Sequence, residues 1–177
     1  GLSMADPLTE IHNAIWDTLE ASEDFTALVP DGNRFKLDSD AMKRGAMDGT
    51  PKSSIDPCVI VYPDLGRSRV ICSSGTELML VWNFDVRYAD ERLTVKQFPV
   101  IWAMFRAMAA AALPGSTLRS ALTFTGATVV NCEFTESGSQ YGNLGAGAST
   151  GWRTVWAYEV TIVFSTPTLA PATEEEE

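Results

Sequence analysis

The residues able to support nucleophilic, redox or metal chemistry are few and scattered along this chain. The 177 residues include one histidine, His12, and three cysteines, Cys58, Cys72 and Cys132. No two cysteines have the C-x-x-C spacing, and a tetrahedral zinc site needs four soft ligands. We therefore expect buried free thiols in a reducing compartment and no metal site.

Nucleophile–base catalysis is equally hard to assemble. His12 lies beside Ile11 inside a predicted helix, where a histidine is far more often structural than a general base. No Walker phosphate loop occurs. The glycine-rich stretch 137–150 is followed by no lysine and no predicted helix, which favours a hairpin loop over a phosphate cradle. We predict no catalytic residue and no cofactor.

Carboxylate pairs are the one catalytic arrangement that the sequence leaves open. Glu133 and Glu159 could face each other across two predicted strands, and Asp64, Asp85 and Asp90 lie near strand ends. Two carboxyl groups at the right separation can work as acid and base. Solvated strand charges are the preferred interpretation. An enzyme using such a pair stays as a third hypothesis.

Charge and hydropathy limit the kinds of binding partner that we expect. The chain has 13 Lys and Arg against 23 Asp and Glu, and four of these acids are residues 174–177. Phosphate contacts need clustered basic residues, so direct nucleic-acid binding is not expected. Seven of the 13 basic residues do fall between Arg34 and Arg69, where Arg34, Lys43 and Arg44 could form a local basic surface. No apolar run reaches 18 residues, so no membrane partner is expected.

Two amphipathic helices are predicted. Asp6-Pro7 is a favourable helix start, and Leu8, Ile11, Ile15 and Leu19 mark one apolar stripe in a helix over residues 6–22. A second helix is predicted from about residue 98 up to Pro114-Gly115. Its apolar stripe consists of Phe98, Ile101, Trp102, Phe105, Met108 and Ala112.

Strands are predicted over residues 58–62 and 77–88, with 70–72 either a short edge strand or loop. In 77–88 strict alternation predicts one core face and one wetter face. Strands at about 121–135, where Val130, Cys132 and Phe134 share a face, and at 152–164 should close the chain as an antiparallel hairpin. Residues 137–150 would be its flexible connector, and the polar stretch 31–56 a functional or mobile arm.

These elements predict an α+β fold, with an antiparallel or mixed sheet of four to five strands and two helices packed on one face. Residues 1–5 are expected to be a short vector remnant and N-terminus, 6–165 a single α+β domain, and 166–177 a disordered acidic tail.

The order of elements resembles the tail-completion or tail-terminator proteins of long-tailed bacteriophages, over roughly residues 6–165. The resemblance rests on an opening helix (IHNAIW, 11–16), a proline-initiated strand (PCVIV, 57–61) and a long strand (LVWNFDV, 80–86). A helix over 100–112 and the closing hairpin complete it. The family has no catalytic residues to carry over.

The resemblance implies a homo-oligomeric ring, usually a hexamer, that caps the tail tube and receives the head connector. The partners would be further copies and the phage tail-tube and head-connector proteins, in a virion assembled in the host cytoplasm. Alternatives are a small α+β ligand-binding domain with a pocket between helices and sheet, or another neck or minor tail protein. The candidate assembly contacts are Tyr141, Leu144, Trp152, Arg153, Arg34, Lys43 and Arg44.

Overall fold

A computed structural model describes residues 7–37, 57–71, 76–112, 127–144 and 150–164. The predicted vector remnant, residues 38–56 of the predicted arm and the acidic tail lie outside these ranges. In chain order the elements are α1 (Pro7–Glu20), α2 (Glu23–Leu28), a 3₁₀ turn (Asp31–Asn33), β1 (Arg34–Lys36), β2 (Cys58–Pro63), β3 (Arg69–Ile71), β4 (Thr76–Tyr88), α3 (Gln97–Ala112), β5 (Ala127–Asn143) and β6 (Thr150–Phe164).

The sheet confirms the predicted α+β class. Its strand order is β1-β2-β4-β6-β5, and β3 pairs with β4 on the same side as β2. β1 and β2 are parallel and every other described pair is antiparallel, so the sheet is mixed. It has six strands rather than four to five, because the three-residue strand β1 lies inside the stretch expected to be an unstructured arm.

Helix α1 packs on one face of the sheet. Ile11, Ile15 and Leu19 are fully buried, as the stripe predicted, whereas Leu8 is 46% exposed. The sheet face beneath the helices is apolar over four strands, as expected for a core between layers. It contributes Val59, Val61, Leu80, Trp82, Phe84, Val86, Val129, Tyr158, Val160 and Ile162.

Helix α1 stops two residues earlier than predicted because a second, unpredicted helix begins there. Ser22 caps α2 by accepting a hydrogen bond from the Phe25 N–H at 3.3 Å. Phe25 is fully buried in the same core. The helical layer of the described chain therefore has three members.

The other face of β4 is not the wetter face that alternation predicted. Asn83, Asp85 and Arg87 on it are only 6%, 0% and 8% exposed. The turn after β2 shields part of this face from solvent. There Asp64 Oδ2 accepts a hydrogen bond from Asn83 Nδ2 at 3.0 Å. Beside these residues lies a second, smaller apolar cluster made of Leu37, Cys58, Ile60 and Tyr62.

Helix α3 has a different orientation from the one its stripe predicted. Phe98 and Trp102 were expected in the core but are 50% and 63% exposed. The helix is apolar around nearly its whole circumference, so periodicity alone does not specify which side is buried. The buried side consists of Val100, Ile101, Ala103, Met104 and Met108.

The buried side chain of Gln97 fixes the start of α3 on the sheet. Its Nε2 donates to the backbone oxygen of Val86 at 2.9 Å and to Thr154 Oγ1 at 3.0 Å. These bonds join the helix to β4 and β6 at once.

The β5–β6 hairpin is longer than predicted. Pairing runs from Ala127 opposite Phe164 to Asn143 opposite Thr150, so residues 137–143 are strand and not flexible connector. Val155 and Thr154 of β6, both good strand formers, lie opposite Gly138 and Ser139. Residues 145–149 lie outside the described chain.

Two bulges interrupt β5, at Val130 and Ser137. The first shifts the side-chain alternation by one residue. Val129 therefore takes the core position at 7% exposure, while Val130 is 53% exposed and does not share the face of Cys132 and Phe134 as predicted.

Candidate assembly surfaces

The most exposed aromatic side chains described lie together on α3. Phe98 and Trp102, which we call the aromatic ridge, are four residues apart and so project from the same side of the helix. Phe105, one turn further, contacts Phe134 and Trp156 with ring centroids 4.9 Å away in each case. The ridge therefore continues the aromatic packing of the hairpin out to the surface. Aromatic side chains are enriched at protein–protein interfaces, so an exposed pair of them is a candidate interaction surface.

A groove of about 400 Å³ lies where α1 crosses the turn between β2 and β3. It exists because β2 leaves β4 at Trp82 and β3 joins it only at Met79. The intervening turn bonds back to Val81, which accepts from the Asp64 N–H at 2.8 Å and donates to Ser68 Oγ at 3.1 Å. The groove is lined by Leu8, Thr9, His12, Asn13, Pro63, Leu65, Ser68, Leu80, Val81 and Trp82.

His12 forms part of the groove wall and is half-buried. Its Nδ1 accepts a hydrogen bond from Trp82 Nε1 at 3.0 Å, and the two rings stack with centroids 6.4 Å apart. An accepting Nδ1 carries no proton, so the neutral ring is protonated at Nε2. This bond fixes the ring against the sheet and makes His12 a rigid part of the wall.

Arg153, a predicted assembly contact, belongs to an ion cluster on the second sheet face. The guanidinium groups of Arg153 and Arg87 both bind the carboxylate of Asp85. The shortest nitrogen–oxygen distances are 2.9 Å from Arg153 and 3.0 Å from Arg87. Burial alone would raise the pKa of Asp85. The hydrogen bonds and charge of Arg87, followed by those of Arg153, outweigh that effect and lower the pKa below its ordinary 3.8.

The predicted contact Leu144 is attached to the same cluster. Its backbone oxygen accepts a hydrogen bond from Arg87 Nη1 at 2.9 Å, which ties the end of β5 to the second face of the sheet. The side chain of Leu144 is half-buried.

Of the remaining predicted contacts, Tyr141 and Trp152 lie together and Arg34 lies apart from them. Tyr141 is 47% exposed and packs edge-on against Trp152, with centroids 5.5 Å apart, while the Trp152 indole donates to the Glu91 backbone oxygen at 2.8 Å. Arg34, at the other edge of the sheet, is paired with Glu20 at 3.0 Å. Lys43 and Arg44 lie outside the described residues.

The carboxylates proposed for an enzyme are mostly tied to other groups. Glu133 and Glu159 do lie directly opposite each other in the register. Asp64 is bound to Asn83, Asp85 to two arginines, and Asp90 to Arg92 at 3.2 Å. In the ranges that the structure describes, no three His, Cys, Asp or Glu side chains converge in a way that could hold a metal ion.

Comparison with known proteins gives no family assignment. No protein-family model matches this chain, and a search of curated proteins finds no significant relative. Among the described helices, none combines the length and apolarity needed to cross a membrane.

Sequence reasoning missed the ridge and the groove for different reasons. A signal for the ridge was present in the sequence, because Arg106 is the only charged residue among the 16 of α3. Such a helix has more apolar surface than one buried face can cover. The groove had no local signal. It depends on how α1 sits over the gap between β2 and β3, which only the folded topology reveals.

The reactivity of the Cys58 thiol tests the packing on the second face of the sheet. Burial raises the pKa of its thiol from 9.0 to about 12, while the nearby Arg87 charge lowers it and Asp85 raises it. Since the thiolate is the reactive form, a variant keeping only Cys58 (Cys72→Ser, Cys132→Ser) should react with a maleimide at least about 100-fold more slowly when folded than in denaturant. Cys132 is only half-buried, so a Cys132-only variant should show a smaller ratio. Equal ratios would contradict the packing described here.

Proposed function

We propose that this chain is a structural subunit that forms a ring with copies of itself at the tail end or head–tail junction of a long-tailed phage, as a tail-completion or tail-terminator protein. The aromatic ridge is the observation that carries the self-assembly. The proposed position in the virion rests on the order of the helices and strands, which resembles the order in that family. No catalytic role is proposed.

The ridge supports assembly on energetic grounds. Trp102 and Phe98 leave 63% and 50% of their surfaces in water. Aromatic side chains bury 150–250 Å² each when covered, and burial contributes roughly 25 cal/mol per Å². Trp is also the residue type most often found at the energetic centre of interfaces. A partner surface that covers the ridge therefore gains substantial binding free energy from two residues.

The groove favours a second candidate function, a small-ligand-binding domain. Its volume of about 400 Å³ falls in the range of ligand pockets, and its wall combines apolar side chains with a few polar ones, as such pockets do. This function would need neither the ridge nor a ring.

Replacing Trp102 with glutamate tests the proposal. The wild-type chain is expected to form rings, seen as discrete oligomers in light scattering after size exclusion and as closed particles in negative stain. Trp102→Glu should weaken assembly by about 30-fold or more, the effect of losing an interface anchor worth about 2 kcal/mol. Its melting temperature should stay within a few degrees of wild type, because the side chain contributes little to the core.

Val130→Glu is the matched control, since Val130 is 53% exposed but lies in a bulge of β5 and not on α3. It should assemble like the wild type. A wild-type chain that stays monomeric at high micromolar concentration would refute the ring, and a Trp102→Glu chain that assembles normally would refute the role of the ridge.

A further inference from the structure

The two apolar surfaces differ in shape. The ridge is convex, with Phe98 and Trp102 standing out from α3, and the groove is concave, between α1 and the 64–68 turn. A contact that closes into a ring joins two different patches, one from each side of the subunit. A ridge and a groove on the same chain meet that requirement, whereas a ridge against a second ridge gives only a two-fold dimer.

The sheet order separates the two surfaces, so that one subunit can offer both at once. The ridge side of α3 continues through Phe105 to Phe134 of β5 and Trp156 of β6. The groove lies on the opposite side of β4, where β2 and β3 pair. Strands β4 and β6 stand between the two sheet edges.

The helices that carry the two surfaces have opposite charge. Arg106 is the only charged residue of α3. Residues 7–33, which include α1, contain six acids and no Lys or Arg. On α1, the exposed Asp17 lies one turn beyond the groove residue Asn13. On α3, Arg106 lies one turn beyond the ridge residue Trp102, so each surface has one charge at a similar distance. Lys36 does contact Asn13, so the groove itself also has one basic neighbour.

Arg106 is able to change partners at low cost. Within its own chain it pairs with Asp24 at 3.1 Å, but both side chains are more than 60% exposed. Such surface pairs contribute little to stability. An acidic helix of a second copy can therefore compete for the guanidinium without disturbing the fold.

We infer that the aromatic ridge of one copy docks in the groove of the next, with Trp102 and Phe98 against Leu8, Leu65 and the His12 ring. The charge of Arg106 then lies toward the acidic α1 helix. This contact rests on the proposed self-assembly and specifies which surfaces make it. The partner is a second copy of this chain, and the contact is heterologous.

Mixing two defective variants tests the contact. Leu65 is 72% exposed, so Leu65→Glu should block the groove without unfolding the chain, and Leu8→Glu, on the opposite wall, is a second groove variant. Each should be monomeric alone, as should Trp102→Glu. An equimolar mixture of Trp102→Glu with either groove variant should form a one-to-one dimer and nothing larger, because only one ridge and one groove remain intact. Light scattering with one variant fluorescently labelled measures the mass and ratio.

Each other outcome has a distinct meaning. If both groove variants assemble like the wild type while Trp102→Glu does not, ridge-mediated assembly holds but the groove is not its partner, and this inference is wrong. If each single variant is monomeric but the mixtures give no dimer, the heterologous contact is also wrong. If Trp102→Glu assembles normally, the proposed role of the ridge fails first.

Discussion

Replacing Gly151 with alanine is expected to lower the free energy of unfolding by about 3 kcal/mol or more, which corresponds to about 6–12 °C in melting temperature for a chain of this size. A Cβ at this position would lie 2.1 Å from the backbone oxygen of Tyr88 and 2.6 Å from the Cα of Ala89. These are backbone atoms, which cannot swing aside as a flexible side chain can. The end of β4 would have to move away from β6. Thermal or urea unfolding measures the change.

Gly142 is the matched control for this substitution. It lies directly opposite Gly151 in the hairpin, and a Cβ there would meet nothing within 4 Å. Neither glycine has a left-handed backbone, so backbone strain on adding a Cβ is expected at neither site. Gly142→Ala should be neutral or stabilise by up to about 1 kcal/mol. Equal losses at both sites would mean that Gly151 does not pack against the end of β4.

Replacing Asp85 with asparagine should cost about 3 to 5 kcal/mol of unfolding free energy, the typical cost of removing one partner from a buried ion cluster. Asp85 is 0% exposed and accepts from both Arg87 and Arg153. Without its negative charge two guanidinium groups are left facing a neutral amide, and Arg87 is itself only 8% exposed. Urea unfolding at neutral pH measures the loss.

The matched control is Asp24→Asn, which removes an acid from the exposed pair with Arg106 and should cost less than about 1 kcal/mol. Dependence on pH gives a second readout. The pKa of Asp85 is lower in the folded chain than its ordinary 3.8, so its contribution is complete above that value and is lost as the pH falls through the folded pKa. The stability difference between wild type and Asp85→Asn should therefore shrink on acidification below about pH 4. A difference that stays constant would contradict the ion cluster.

The long strands were predictable where side chains alternate and were missed where they do not. β4 was found almost to the residue, because its apolar and polar positions follow a strict period of two. Residues 137–143 of β5 contain two glycines and two serines, which locally favour a loop. They are strand because β6 is a strong strand that pairs with them over its whole length. Tertiary pairing here overrides local propensity.

The orientation of α3 and the partners of Asp85 could not be derived from sequence. A helix with a single charged residue has no polar side to point outward, so the exposure of Trp102 follows from where Gln97 anchors the helix start. Asp85 and Arg153 are 68 residues apart, and only the register of β4 with β6 brings them together. Alternation alone predicted a wetter face for Asp85. Such pairings depend on topology and not on local pattern.

The strand order also determines when the sheet can form during protein synthesis. β6 is a central strand, between β4 and β5, yet it is the last strand in the described chain. β4 ends at Tyr88 and β6 begins at Thr150, so about 60 further residues must be made before β4 meets its long partner. At ribosomal speeds of 5–20 residues per second this takes roughly 3 to 12 seconds. For that time one whole edge of β4 lacks the strand that covers it in the finished fold, and the nascent chain must stay soluble without it.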